Sequence, residues 1–360
     1  MLVLAAVLAT EFVALEAGVR WHGGSDAAPG FQALFMPDPD VGHRLKPNAR
    51  TRYTTVEFST DLAINAQGVR DDAPIGPKAP GERRILVLGD SLVFSVQVRL
   101  AETFCKQLES RLNRAAAREA AVRWRVINGG VQGYSPIHEW FFFDRVAAAF
   151  EPDIVLLVVF VGNDAVEAND LEPWLDAGRP VAGDAPALGL LRRAVRSSGV
   201  LQLVRLRWDQ LRGRLTTGTP ERPLATYLAM PPPFVAHGLD VTRRVVELVA
   251  NRSAALGAST GLVLMPARFQ IDDGDYGRLA EIVAKAGGTL VRQAATERFR
   301  AALAPLGLPT LDLLPVLDEQ PDRSGVFFQR NVHLTPRGHE IVASALARFL
   351  QSNGFVPASR

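Results

Sequence analysis

The stretch "PDIVLLVVFVGND" (152–164) constrains this chain more than any other, because residues 154–161 carry no polar side chain. A strand that is apolar on both sides must be covered on both sides, as the inner strands of a parallel sheet are. "RILVLGD" (84–90) and "TGLVLMPARF" (260–269) repeat the pattern, and "VRWRVIN" (122–128) and the short "PTLDLL" (309–314) also read as strands. Helical spacing fills the intervals at 101–118, 136–150, 236–256, 289–305 and 336–354. Strands alternating with helices predict an α/β fold, a doubly wound and mostly parallel sheet with helices on both faces. A hydrophobic content of 48% is enough to fill two such layers.

Outside that rhythm the chain reads differently. "MLVLAAVLATEFVALEAGV" (1–19) is mostly apolar but is interrupted by Glu11 and Glu16, and it lacks a basic start and an A-x-A cleavage site. It predicts an apolar N-terminal helix over 1–21, either part of a membrane anchor or an amphipathic helix packed on the domain. Residues 22–82 are rich in Gly, Pro, Asp and Asn and read as a lead-in with small β elements, of which only 52–64 alternates like a strand. The α/β domain is expected over 83–355, with an insertion at about 165–235 where loops such as "DLEPWLDAGRPVAGDAP" break the alternation.

Charge and cysteine usage exclude several function classes. Forty Lys and Arg against 38 Asp and Glu leave a net charge of +2, without the concentrated basic stripe of a nucleic-acid partner. The locally basic 190–214 reads as a solvated helix face. Cys105 is the only cysteine, so no intrachain disulfide forms. Its place beside Phe104 and Leu108 is that of a packing residue. No metal-ligand spacing occurs, and neither a metal nor an organic cofactor is expected.

In a doubly wound sheet the ligand site lies beyond the carboxyl ends of the strands. The residues there are Gly89-Asp90-Ser91, then Asn128 through Ser135, then Gly162-Asn163-Asp164, and finally His333 in the loop before the last helix. Each piece alone is ordinary turn or cap chemistry. Together they supply the parts of acyl transfer. Ser91 is the candidate nucleophile and His333 the base that takes its proton. The backbone N–H groups of Ser91 and Gly133 and the amide of Asn163 are candidate donors to an oxyanion. His339 competes for the role of base, but Thr335 as N-cap and Pro336 at the first helical position put it inside a helix.

In these four blocks the chain resembles the SGNH/GDSL hydrolases: "VLGDS" (87–91), "VINGGVQGYS" (126–135), "VVFVGND" (158–164) and "HLTPRGH" (333–339). The resemblance covers about 84–352 apart from the insertion. It implies a flavodoxin-like sheet, Ser91 as nucleophile, Gly133 and Asn163 in the oxyanion hole, and His333 as base. "VGHRLKPN" (41–48) and "INAQGVRDD" (64–72) resemble the lead-in of a bacterial subgroup with an N-terminal membrane anchor, which implies a periplasmic or exterior setting. A structural turn at 65–68 accounts for the second of these motifs equally well.

The departure from the family is the acid. An aspartate usually stands two or three residues before the histidine, and here those positions are Asn331 and Arg330. Three arrangements are open. Asn331 orients the imidazole through its amide oxygen; or Ser91 and His333 act as a dyad, with a backbone carbonyl or the remote Asp322 as orienter; or the site binds a ligand without turning it over. Losing the carboxylate in a related triad lowers kcat by about 10⁴ and leaves residual catalysis. Arg330 reads as an exposed arginine, with attraction of an anionic substrate group as the alternative. The functions implied are a serine esterase acting on small-molecule or glycan esters, an O-acyltransferase on a glycan, or a catalytically impaired binding or assembly protein.

Overall fold

A computed structural model describes residues 29–116, 122–181 and 222–357. The helical turn α1 (Pro29–Gln32) leads into two hairpins, β1 (Phe35–Asp38) with β2 (Gly42–Leu45), and β3 (Arg50–Thr54) with β4 (Ser59–Ala63). The α/β part follows: β5 (Glu82–Gly89), the short α2 (Ser91–Phe94), α3 (Phe104–Ala116), β6 (Arg123–Gly130), α4 (Pro136–Arg145), β7 (Ile154–Phe160) and α5 (Asp164–Ala177). After residue 222 come α6 (Pro233–Ala255), β8 (Ser259–Met265), α7 (Asp273–Lys285), α8 (Ala294–Leu303), β9 (Thr310–Asp312), α9 (Leu313–Asp318) and α10 (Pro336–Ser352).

The central sheet has the order β6-β5-β7-β8-β9, and all of its pairings are parallel. The strands alternate strictly between two cores. Leu86 and Leu88 of β5 and Val155, Leu157 and Val159 of β7 face one side, while Ile85, Val87, Ile154, Leu156 and Val158 face the other. The apolar face of α3 (Phe104, Leu108, Leu112) and that of α10 (Val342, Leu346, Leu350) cover the second side. Helices α4, α6 and α8 cover the first, with Phe141, Val245 and Phe299 among their buried residues. Helix α6 lies so close to α5 that a Cβ on Gly238 would fall 1.8 Å from the Ala165 carbonyl oxygen. The uninterrupted apolar strands are thus explained by burial on both faces, as expected for α/β architecture.

Some local expectations are corrected. The alternating run 52–64 is a hairpin, because Thr55 turns the chain: its Oγ1 accepts from Glu57 N at 3.2 Å and Phe58 N at 3.3 Å. Alternation continues across the turn, which hides it from a periodicity reading. Helix α7 was not anticipated, since Gly274 and Gly277 dilute its pattern. The stretch expected as an insertion begins with the regular helix α5, and residues 182–221 lie outside the described residues. The lead-in contributes Phe31, Leu45, Tyr53, Leu62 and Val69 to the same core as β5 and β7. The segment 1–21 lies outside the described residues; among those described, no helix is long and apolar enough to cross a membrane.

Candidate active site

The sheet order reverses between β5 and β7, and the crevice at such a point is where ligands bind in open α/β sheets. Ser91 follows β5 and Asn163 follows β7, so these two candidates flank the reversal. Ser91 opens the single turn α2. Its own N–H therefore has no intrahelical acceptor. Asp90 caps the turn, its Oδ1 accepting from Leu92 N at 2.8 Å, and Ser95 ends it in the left-handed region at φ 57°. The neighbouring strand end must come very close to this turn. A Cβ on Gly130 would lie 2.3 Å from Phe94 N, so only glycine allows the approach. From β6, the Asn128 amide donates to Val93 O at 2.8 Å and clamps the turn in place.

His333 meets Ser91 across the crevice, Nε2 to Oγ at 2.8 Å. On the other side of the ring, Nδ1 lies 2.5 Å from Asn331 Oδ1. The same Oδ1 accepts from His333 N at 3.1 Å, which fixes that atom as the oxygen and places the ring proton on Nδ1. Nε2 is then free to accept from the Ser91 hydroxyl. Asn331 is thus the group beside the imidazole, and Asp322 is elsewhere, bonded to Ser324 and to Arg337 at 2.7 Å. Burial pushes His333 down to about 4. A neutral amide gives the ring the right tautomer but no charge to stabilise imidazolium.

The remaining candidates separate clearly. Gly133 lies in the turn closed by Tyr134 N donating to Val131 O at 3.2 Å, at φ +75° with nothing within 4 Å of a Cβ. Asn163 precedes α5, and its Nδ2 donates to Glu167 Oε1 at 2.6 Å while its Oδ1 is buried without a partner. Arg330 is exposed, and its main-chain N–H donates to Glu57 at 2.9 Å. His339 is buried inside α10, stacked on Phe104 and accepting from Phe104 N at 3.3 Å. It takes no part in the crevice. Cys105 is buried, and burial pushes its thiol far up, as befits a packing residue.

Several residues of consequence were not singled out from sequence. Arg70, 1% exposed, donates to the carbonyls of Phe94 (2.9 Å), Ser95 and Val98 (2.5 Å), which fixes the chain just after Ser91. Around the Ser91 turn lie four carboxyl groups, Asp90, Glu139, Asp164 and Glu167, which feel one another's charge. Burial pushes Asp90 up to about 6 and Glu167 to about 7, and it raises Glu139 and Asp164 well above the usual range. Both oxygens of Glu139 lack a hydrogen-bond partner. An acid inside the apolar helix "PIHEWFFF" (136–143) was the available signal. Among the described residues, no group of three or more His, Cys, Asp or Glu is arranged to hold a metal.

The carboxyl cluster has a consequence for stability. A carboxyl whose folded pKa is raised stabilises nothing below its unfolded value of about 4.3, and above it the unfolded chain gains by ionising. Stability therefore falls by up to about 1.4 kcal/mol per pH unit for each such group until its folded pKa is reached. Glu139→Gln, which keeps the shape of the neutral acid, is expected to unfold with wild type at pH 4 and at a higher temperature than wild type at pH 8. Thermal unfolding at both pH values checks this, and equal midpoints at pH 8 would count against a protonated Glu139.

A five-stranded parallel sheet, a serine at the end of β5, a glycine turn after β6, an asparagine after β7 and a histidine before α10 are the arrangement in which the chain resembles the SGNH/GDSL hydrolases. Residues 231–359 match the family model described as "SGNH hydrolase-like domain, acetyltransferase AlgX", a stretch that holds His333 and Asn331 but not Ser91. Solved structures with a similar fold include TesA, at 14% identity over 75% of this chain and 99% of that one, with a TM-score of 0.41. An acetylxylan esterase from Geobacillus stearothermophilus, Axe2, matches at 12% identity over 74% and 94%, with a TM-score of 0.40. A lipase/acylhydrolase from Enterococcus faecalis matches at 12% over 75% and 96%, with a TM-score of 0.39. No curated protein matches the chain by sequence.

Proposed function

We propose that the protein is a serine esterase that forms an acyl–Ser91 intermediate on small-molecule or glycan carboxylic esters. The observation that carries this reading is the hydrogen-bonded line from Ser91 Oγ through His333 to Asn331 Oδ1. His333 Nε2 takes the Ser91 proton as Oγ attacks the ester carbonyl, and the Ser91 and Gly133 N–H groups and the Asn163 amide receive the oxyanion. The imidazolium then gives its proton to the departing alcohol, leaving the acyl enzyme. Water, activated by the same nitrogen, completes hydrolysis. Glu167 sets the direction of the Asn163 amide: ionised, it accepts from Nδ2, and protonated, it would donate to Oδ1 and turn the NH₂ group the other way.

An O-acyltransferase, in which a sugar hydroxyl replaces that water, is the second reading, favoured by the acetyltransferase description of the matched family. The setting we propose is extracytoplasmic, with membrane attachment through the N-terminal segment, on the strength of the hydropathy of 1–21. A fluorophosphonate probe followed by peptide mass spectrometry is expected to label Ser91. Well-folded protein that stays unlabelled would leave a catalytically impaired binding protein in place of the enzyme.

A further inference from the structure

Beside the reacting groups runs a groove of about 660 Å³. It begins at Asn163 and Val332, one a proposed oxyanion donor and the other the neighbour of His333, and it leads away between the 222–227 segment and α7. Its walls are Phe160, Leu224, Tyr227, Phe269, Leu279 and Ile282. Two of the large hydrophobic side chains that the protein leaves exposed stand on it, Ile282 at 53% and Val332 at 56%. Exposed apolar side chains gathered along one concavity that starts at a reactive centre mark a place for an apolar ligand.

Away from Asn163, the polar side chains of Asp275 and Arg268 in the wall are tied up with other protein groups. Asp275 is held between Arg268 and Arg278, and Arg268 Nη1 also donates to the Phe328 carbonyl at 2.9 Å and to Gln329 O at 2.5 Å. A sugar ring would need unengaged donors and acceptors along its length, and would leave its hydroxyls unpaired against Leu224, Leu279 and Ile282. A hydrocarbon chain asks for none. The polar end of the groove, at Asn163 and Glu167, lies where the ester carbonyl would sit.

We propose that this groove takes the acyl chain of the ester, so that acyl groups longer than acetyl are the preferred substrates. The proposal rests on the acyl–Ser91 reading and names its substrate class. Each buried methylene contributes about fourfold to transition-state binding when the chain leaves water. The value of kcat/KM, which covers every step through acylation, is the quantity that reads this.

The test is a series of p-nitrophenyl acetate, butyrate and octanoate, run on protein whose Ser91 labelling by a fluorophosphonate has been measured. The expected result is a rise in kcat/KM of about tenfold or more from acetate to butyrate, maintained at octanoate. Ile282→Asp, at an exposed helix position where folding is little affected, is expected to lower the octanoate-to-acetate ratio about tenfold. Labelled protein that prefers acetate, or a ratio unmoved by Ile282→Asp, would overturn the groove assignment and leave the acyl–serine reading standing. Absence of labelling would remove both.

Discussion

Ser91→Ala is expected to lower kcat for an activated ester at least about 10³-fold and to abolish fluorophosphonate labelling. The upper limit is set by serine hydrolases with a full triad, where loss of the nucleophile alone costs about 2 × 10⁶ in kcat, nearly as much as loss of the whole triad. The drop should be smaller here, because the starting site lacks the carboxylate. What survives in the variant is the oxyanion hole and binding, worth about 10³–10⁴ over water in such sites. Ser91 caps nothing and only its hydroxyl is removed, so folding should be unchanged. A variant that retains wild-type turnover would show that the crevice is not where esters react.

Asn331→Asp is expected to move the rate in the opposite direction, raising kcat at pH 8 by about 10- to 100-fold. The geometry is already set: Oδ1 accepts from both His333 N and Nδ1, so the substitution changes charge and little else. In the related triad the loss on going from Asp to Asn comes largely from the wrong tautomer, and here the tautomer is right, so only the charge remains to be gained. The pH profile carries the sign. Neutral His333 is the active base, and with burial holding it down to about 4, the acid limb of kcat/KM in wild type should lie well below the usual imidazole range. A carboxylate at 331 favours imidazolium and must move that limb upward. A rate that stays flat or falls, with the limb unmoved, would mean that position 331 does not govern the histidine.

How much of this was legible in the sequence differs between the reacting groups and their supports. Ser91, His333, Gly133 and Asn163 sit at strand ends and in turns, where a polar residue beside an apolar run is conspicuous. Asn331 was legible as a position, since it fills the place of an expected acid, and the coordinates put its oxygen on the ring. The parallel sheet followed from burial of its strands on both faces. The supports were hidden because their partners lie far along the chain. Arg70 acts on residues 94–98, and nothing in "QGVRDD" tells that its guanidinium is buried. The four carboxyls come from the N-cap of α2, from α4 and from α5, and become one cluster only when those elements are packed. Helix α7 was missed for a local reason, two glycines in its first turns, and tertiary packing overrides such propensities.

The two hairpins and the segment after them bear on how this unit is divided. Arg70 holds the chain after Ser91, His43 of β2 lies 3.1 Å from the Gln132 carbonyl beside Gly133, and Glu57 between β3 and β4 accepts from the loop of His333. Three of the four strand-end loops are therefore braced by residues that precede the first strand of the sheet. Such braces couple local opening of each loop to the lead-in element that holds it. A boundary drawn at Glu82 would cut through the scaffold of the Ser91–His333 crevice. The unit that can be exchanged between proteins, or excised with this crevice intact, starts no later than the first hairpin.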